Sequence, residues 1–195
     1  MCSTEPTRRE AIRLGTLGAV GLLGLAGCGS PLSALPLAPL TLDGTVEVMP
    51  GLRIHPRSSW GADLAPKADF EHEQVRFVLV HHTQTPNDYG DPRPVIRSVY
   101  AYHTSSAKRW GDVAYHFFVG RDGSVWEGRA GSLDGPVVAD ATAGNQGWAQ
   151  LVCLIGNHID APPTEAAQAS LVDVLKWITW RYRLDTDPAA TAEYV

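Results

Sequence analysis

Two neighbouring stretches decide the fold: VRFVLVHHTQTP (residues 75–86) and IRSVYAYHTSSAKRWGDVAYHFFVGRDGSVWEGR (residues 96–129). Val75, Phe77, Val78, Leu79 and Val80 form a short apolar, β-branched run, the pattern of a strand buried on both faces, and it ends in His81, His82 and Thr83. Open α/β sheets bind ligands at the carboxyl ends of such strands, so the histidine pair marks a candidate site. Ile96, Val99, Tyr100 and His103 fall at i, i+3, i+4 and i+7, one face of a helix that Asp91 is placed to cap. Tyr115 to Val119 reads as a second strand, Arg121-Asp122-Gly123 as a turn, and Ser124 to Arg129 as the returning arm of a hairpin. On a regular strand Val113, Tyr115, Phe117 and Val119 share one face while His116 and Phe118 take the other. Tyr115 and His116 therefore cannot both enter one site.

Towards the C-terminus, Gly131 to Gln150 is glycine-rich and loop-like, and Ala149 to Ile155 reads as a buried strand closed by Asn157-His158. Pro162-Pro163-Thr164 opens the last helix with Thr164 as its cap, and Leu171, Val174, Leu175, Ile178 and Tyr182 form an apolar stripe of core-packing spacing. Cys153 lies inside the apolar run and reads as a small core residue; with Cys2 in the leader and Cys28 at its end, no pair remains to form a disulfide.

Towards the N-terminus, Arg8-Arg9 precede an apolar, glycine-rich run, Leu14 to Ala26, that is too short to span a membrane. This resembles a twin-arginine export signal, and Leu25-Ala26-Gly27-Cys28 resembles a bacterial lipobox, which makes Cys28 the expected lipidation site. Residues 1–27 are then a signal peptide, 28–52 a Pro-rich linker, and 53–195 one domain. The expected location is the cell envelope, either lipid-anchored through Cys28 on the outer side of the cytoplasmic membrane or secreted, with the domain a monomer. The chain carries 16 basic and 21 acidic residues, a net charge of −5, which is no footprint for nucleic acid.

Five ordered pieces carry a family resemblance: SSWGAD (58–63), VHHT (80–83), IRSVYAYH (96–103), WGDVAYHFFVGRDGSVWEGR (110–129) and LIGN (154–157). Together they resemble the zinc-dependent N-acetylmuramoyl-L-alanine amidases of the peptidoglycan recognition protein and phage-amidase type, over roughly Ile54 to Leu184. The resemblance implies an α/β fold with a mixed central sheet and helices on both faces. It implies a zinc hydrolase that cleaves the amide between N-acetylmuramic acid and L-alanine of the peptidoglycan stem peptide. By the same resemblance His81 is a zinc ligand and Tyr115 the catalytic residue that meets the developing oxyanion. His82, His103, Trp110 and Arg129 are expected at the substrate, as is Asp140, which stands where the family commonly has histidine. The family's two other zinc ligands, a histidine and then a cysteine or aspartate, lie beyond the last helix. No histidine follows His158 and no cysteine follows Cys153, so the chain is expected to be C-terminally incomplete. A peptidoglycan-binding envelope lipoprotein that does not hydrolyse is the alternative.

Overall fold

In the computed structural model, which describes residues 41–140 and 148–187, the described elements are β1 (Val46–Met49), β2 (Leu52–His55), α1 (Ser58–Gly61), β3 (Phe77–His82), α2 (Pro92–His103), β4 (Phe117–Val119), β5 (Val125–Glu127), β6 (Ala149–Leu154) and α3 (Glu165–Tyr182). The described strands make one mixed sheet in the order β1-β2-β5-β4-β6-β3. The β1/β2 and β4/β5 pairs are antiparallel; β2/β5, β4/β6 and β6/β3 are parallel.

Local chemistry explains the elements. Val46, Leu52 and Ile54 alternate inward while Glu47 and Arg53 point to solvent, and Pro50-Gly51, with Gly51 at φ +85°, closes the hairpin. This hairpin lies partly within the stretch read as a linker, so the ordered sheet begins before residue 53; prolines dominated that reading and hid a strand alternation behind them. The signal segment, Cys28 and the first part of the linker fall outside the described residues. Asp91 caps α2, its Oδ1 accepting from Arg93 N at 3.0 Å, and Thr164 caps α3, its Oγ1 accepting from Ala167 N at 3.2 Å. Arg183, at φ +53°, ends α3 in the left-handed region.

Each face of the sheet carries its own core. Under α1 and α2 lie Trp60, Ile96, Tyr100, Tyr115, Phe118, Leu151, Cys153 and Ile155. Under α3 lie Ile54, Phe117, Val119, Val152, Val174, Trp177 and Ile178. The expected architecture, a mixed sheet covered by helices on both faces, is therefore present.

Two expectations are corrected. The strand β3 is not buried on both faces: it is an edge strand paired only to β6 among the described strands, and Val80 is 47% exposed. Its apolar composition reflects the double coverage of Phe77 and Leu79 by one core and Val78 by the other. Nor does the strand alternation continue through Tyr115. The His116 backbone N donates to Leu151 O (2.9 Å), Leu151 N donates to His116 Nδ1 (2.8 Å), and His116 Nε2 donates to Val137 O (2.8 Å). The imidazole thus replaces a stretch of main-chain ladder between the entry to β4 and β6. Tyr115 consequently joins the face of Phe118, whose ring it meets edge-on at 5.5 Å, and not that of Phe117 and Val119.

Candidate functional site

The strand register lays one row of residues across the sheet: His81 on β3, Cys153 on β6, Phe118 on β4, Trp126 on β5 and His55 on β2. Cys153, Phe118 and Trp126 belong to the core beneath α2, and His81 stands at the edge of the same row. Its ring lies 5.7 Å from that of Tyr115. Burial, and then the neighbouring His82, lower the His81 pKa, so the imidazole is neutral at pH 7. Tyr115 is 9% exposed and lies beside the buried Cys153 thiol in the same core. Burial first, then Cys153, push its phenol above the ordinary range, which keeps it a protonated donor. Burial likewise raises the Cys153 thiol and keeps it neutral.

Beside this pair opens a cleft of about 430 Å³. One wall is the segment from His82 to Thr85 after β3; another is α2, through Ser98, Val99, Tyr102 and His103; the turn bearing Lys108 and Trp110 closes the third side, and Tyr115 is part of the lining. His103 is held by Ala114 N, which donates to its Nδ1 at 3.1 Å, and its ring lies 4.6 Å from Trp110 and 5.5 Å from Tyr115. Burial, followed by the Lys108 charge, depresses its pKa to about 4, so it too is neutral. Arg109, a non-glycine residue at φ +55°, turns the chain so that Trp110 N donates to His103 O at 3.0 Å.

The wall after β3 is pinned to the end of β6. Gly156 N donates to Thr83 Oγ1 (2.8 Å); Asn87 Nδ2 donates to Asn157 O (2.9 Å), and Asn157 N donates to Asn87 Oδ1 (2.8 Å). His158 N donates to His82 Nδ1 at 3.0 Å, which orients His82 within the lining.

Of the residues singled out from sequence, Tyr115, His82, His103 and Trp110 line the cleft, and His81 stands next to Tyr115. Arg129 does not reach it, which corrects that expectation. The guanidinium is 2% exposed, donates from Nη1 to Asp140 Oδ2 (2.8 Å) and Val113 O (3.1 Å), and lies 3.7 Å from the Phe70 ring centroid. Asp140 is also corrected: besides Arg129 it accepts from Gly111 N at 3.0 Å, so it latches the loop to the core and is absent from the lining. Trp126 stacks on His55 with centroids 4.0 Å apart. Cys28 lies outside the described residues. Sequence reasoning missed Lys108, Tyr102 and Ser98. The last two are i and i+4 on α2, a polar stripe beside its apolar one that helical spacing could have revealed.

Zinc, which the resemblance implies, needs about three protein ligands. No group of three His, Cys, Asp or Glu residues that could hold a metal occurs among the described residues. The neighbours of His81 are the phenol of Tyr115 and the neutral thiol of Cys153, so the donor set described here does not fit zinc.

This fold and cleft define a domain of the amidase type. The N-acetylmuramoyl-L-alanine amidase family matches residues 71–193, and the chain belongs to that family. It is 36% identical over 129 residues to the human N-acetylmuramoyl-L-alanine amidase, a match covering 63% of this chain and 21% of that protein. With the peptidoglycan-recognition protein SA of Drosophila melanogaster it shares 28% identity over 138 residues, covering 70% of this chain and 66% of the relative. The chain thus spans about a fifth of the human amidase and about two thirds of the fly protein. Among solved structures, Drosophila PGRP-SA superposes with a TM-score of 0.59 at 25% identity, covering 69% of this chain and 76% of that one. The fold is shared with human PGRP-IBETAC, solved in complex with glycosamyl muramyl pentapeptide (TM-score 0.57, 23% identity, 68% and 79% coverage).

Proposed function

We propose that the domain binds the muramyl-peptide unit of peptidoglycan in this cleft and hydrolyses the amide between N-acetylmuramic acid and L-alanine. The observation that carries the reading is the pairing of a neutral His81 with a protonated Tyr115, rings 5.7 Å apart, at the edge of a cleft of about 430 Å³. A phenol kept protonated by burial is a donor suited to an amide oxygen as it gains charge. The relatives named amidase and the muramyl-peptide complex of a neighbour with the same fold support the substrate class. Recognition without hydrolysis is the second reading. It is favoured by the lack of a three-ligand metal set among the described residues.

The test is mass-spectrometric detection of peptide released from a muramyl tripeptide by the full chain, with zinc and with chelator, beside calorimetric binding of the same ligand. Release that Tyr115→Phe lowers about 100-fold with binding unchanged is the result expected. Binding without release selects the second reading, and absence of both rejects the two together. The twin arginines and Leu25-Ala26-Gly27-Cys28 support export and lipid attachment at Cys28, on the side of the membrane where peptidoglycan lies. On that reading Cys28→Ser moves the protein out of the membrane fraction.

A further inference from the structure

We infer that the outward face of α3 rests on a phospholipid surface through Val172 and Trp180; the inference rests on the reading of lipid attachment at Cys28. A helix that covers a sheet keeps its apolar stripe inward and its polar residues outward. α3 obeys the first half of that rule, with Ala167, Val174, Trp177 and Ile178 buried in the core beneath it. It breaks the second half. Val172 and Trp180 are 49% and 66% exposed, and at i and i+8 they follow one ridge of the helix. Lys176 stands between them at i+4 and pairs with Asp173 Oδ1 at 3.0 Å, so the ridge carries no uncompensated charge.

The occupant follows from the tether. Residues 29–40 separate Cys28 from Thr41, where the described domain begins, and a chain of that length spans at most about 45 Å. A lipid on Cys28 therefore holds the domain at the bilayer at an effective concentration on the order of millimolar, and a contact too weak to form from solution becomes populated. Val46, the first core residue after the tether, packs with Leu52 and Ile54 in the core that α3 covers, so the tether joins the α3 side of the sheet. An indole suits the interface, its ring apolar and its N–H wet, and a lysine stem lies along lipid while its ammonium reaches a phosphate. The contact also sets an orientation. The cleft opens beside α2, on the face of the sheet opposite α3, so with α3 on the lipid the cleft faces away from the bilayer.

The test is tryptophan emission of the full chain, extracted with its lipid and reconstituted on phosphatidylethanolamine–phosphatidylglycerol vesicles whose acyl chains are brominated near the headgroup. The bromines should quench part of the emission of the unmodified chain. Trp180→Phe, which keeps a ring but removes the reporter, should abolish that quenching, and Val172→Glu, with Trp180 in place, should lower it. Quenching that survives Trp180→Phe, or its absence on vesicles that carry the chain, overturns the α3 contact and leaves lipid attachment standing. A Cys28→Ser chain that sediments as a dimer, and as a monomer once Val172→Glu is added, puts a second copy on the ridge and overturns the contact too. Failure of the extracted chain to join the vesicles overturns lipid attachment and this inference with it.

Discussion

His103 and His116 are both neutral in the folded chain, with pKa values depressed to about 4 chiefly by burial, and each uses its Nδ1 as an acceptor for a backbone N–H. An unfolded histidine titrates near 6.5. Below that pH the unfolded chain takes up protons that the folded chain refuses, so stability falls as pH drops from about 6.5 towards about 4 and is fully present above that window. Asp112 and Glu127, raised by burial, act in the opposite sense, because the folded chain protonates them first. The histidine contribution is therefore isolated by comparing chains. His103→Gln, whose amide oxygen can still accept from Ala114 N, should flatten the pH dependence of the urea-derived unfolding free energy by one proton, roughly 1.4 kcal/mol per pH unit between pH 6 and 5. A slope identical to that of the unmodified chain would show that His103 already titrates normally in the fold.

At the scale of elements, the two parallel strands β3 and β6 deliver the site only if the loops that leave them are locked together. Gly156 is where that lock leaves no room: its φ is +132°, and a methyl group on it would collide with Asn87 Oδ1, the acceptor for Asn157 N. Gly156→Ala should destabilise the domain by about 2 kcal/mol or more through strain and a broken Asn87–Asn157 clasp. Adding Asn87→Ala removes the collision but not the φ penalty, so thermal unfolding of the double variant should show a total loss smaller than the sum of the single losses. Strict additivity would mean that the clasp and the glycine are unrelated. The Arg129–Asp140 latch behaves differently. Asp140→Ala leaves a guanidinium buried against Phe70 without its carboxylate and should cost about 3–5 kcal/mol, whereas Arg129→Met with Asp140→Ala should cost less than the single change. Had Asp140 been a ligand contact, stability would hardly move and binding alone would suffer.

Across the whole molecule, the sequence made the elements readable where one physical pattern dominated and misled where two competed. The helical spacing of Ile96, Val99, Tyr100 and His103, and the caps Asp91 and Thr164, were legible because nothing else explains them. The cleft-lining His82, His103, Trp110 and Tyr115 came from ordered motifs. Arg129 was misjudged because no one-dimensional pattern tells a sealed guanidinium from an exposed one. The break at His116 was illegible because it depends on Leu151, distant in the chain, finding an imidazole in place of a strand carbonyl. Lys108 escaped because its place in the cleft depends on the rings of Tyr102 and Trp110 and on the turn at Arg109. The same topology makes a prediction for the molecule as a unit. Cys153 sits on β6, between β4 and β3, fully buried in the core beneath α2. A reagent can reach its thiol only by separating inner strands of the sheet, which share cores with the helices on both faces. Labelling of Cys153, followed by peptide mapping, should therefore proceed with the free energy of global unfolding and slow in parallel with added stability. The edge strand β3 is the one route by which this fails: if its pairing to β6 opens on its own, Cys153 will label faster than the domain unfolds, and the His81–Tyr115 pair will be a mobile feature instead of a fixed one.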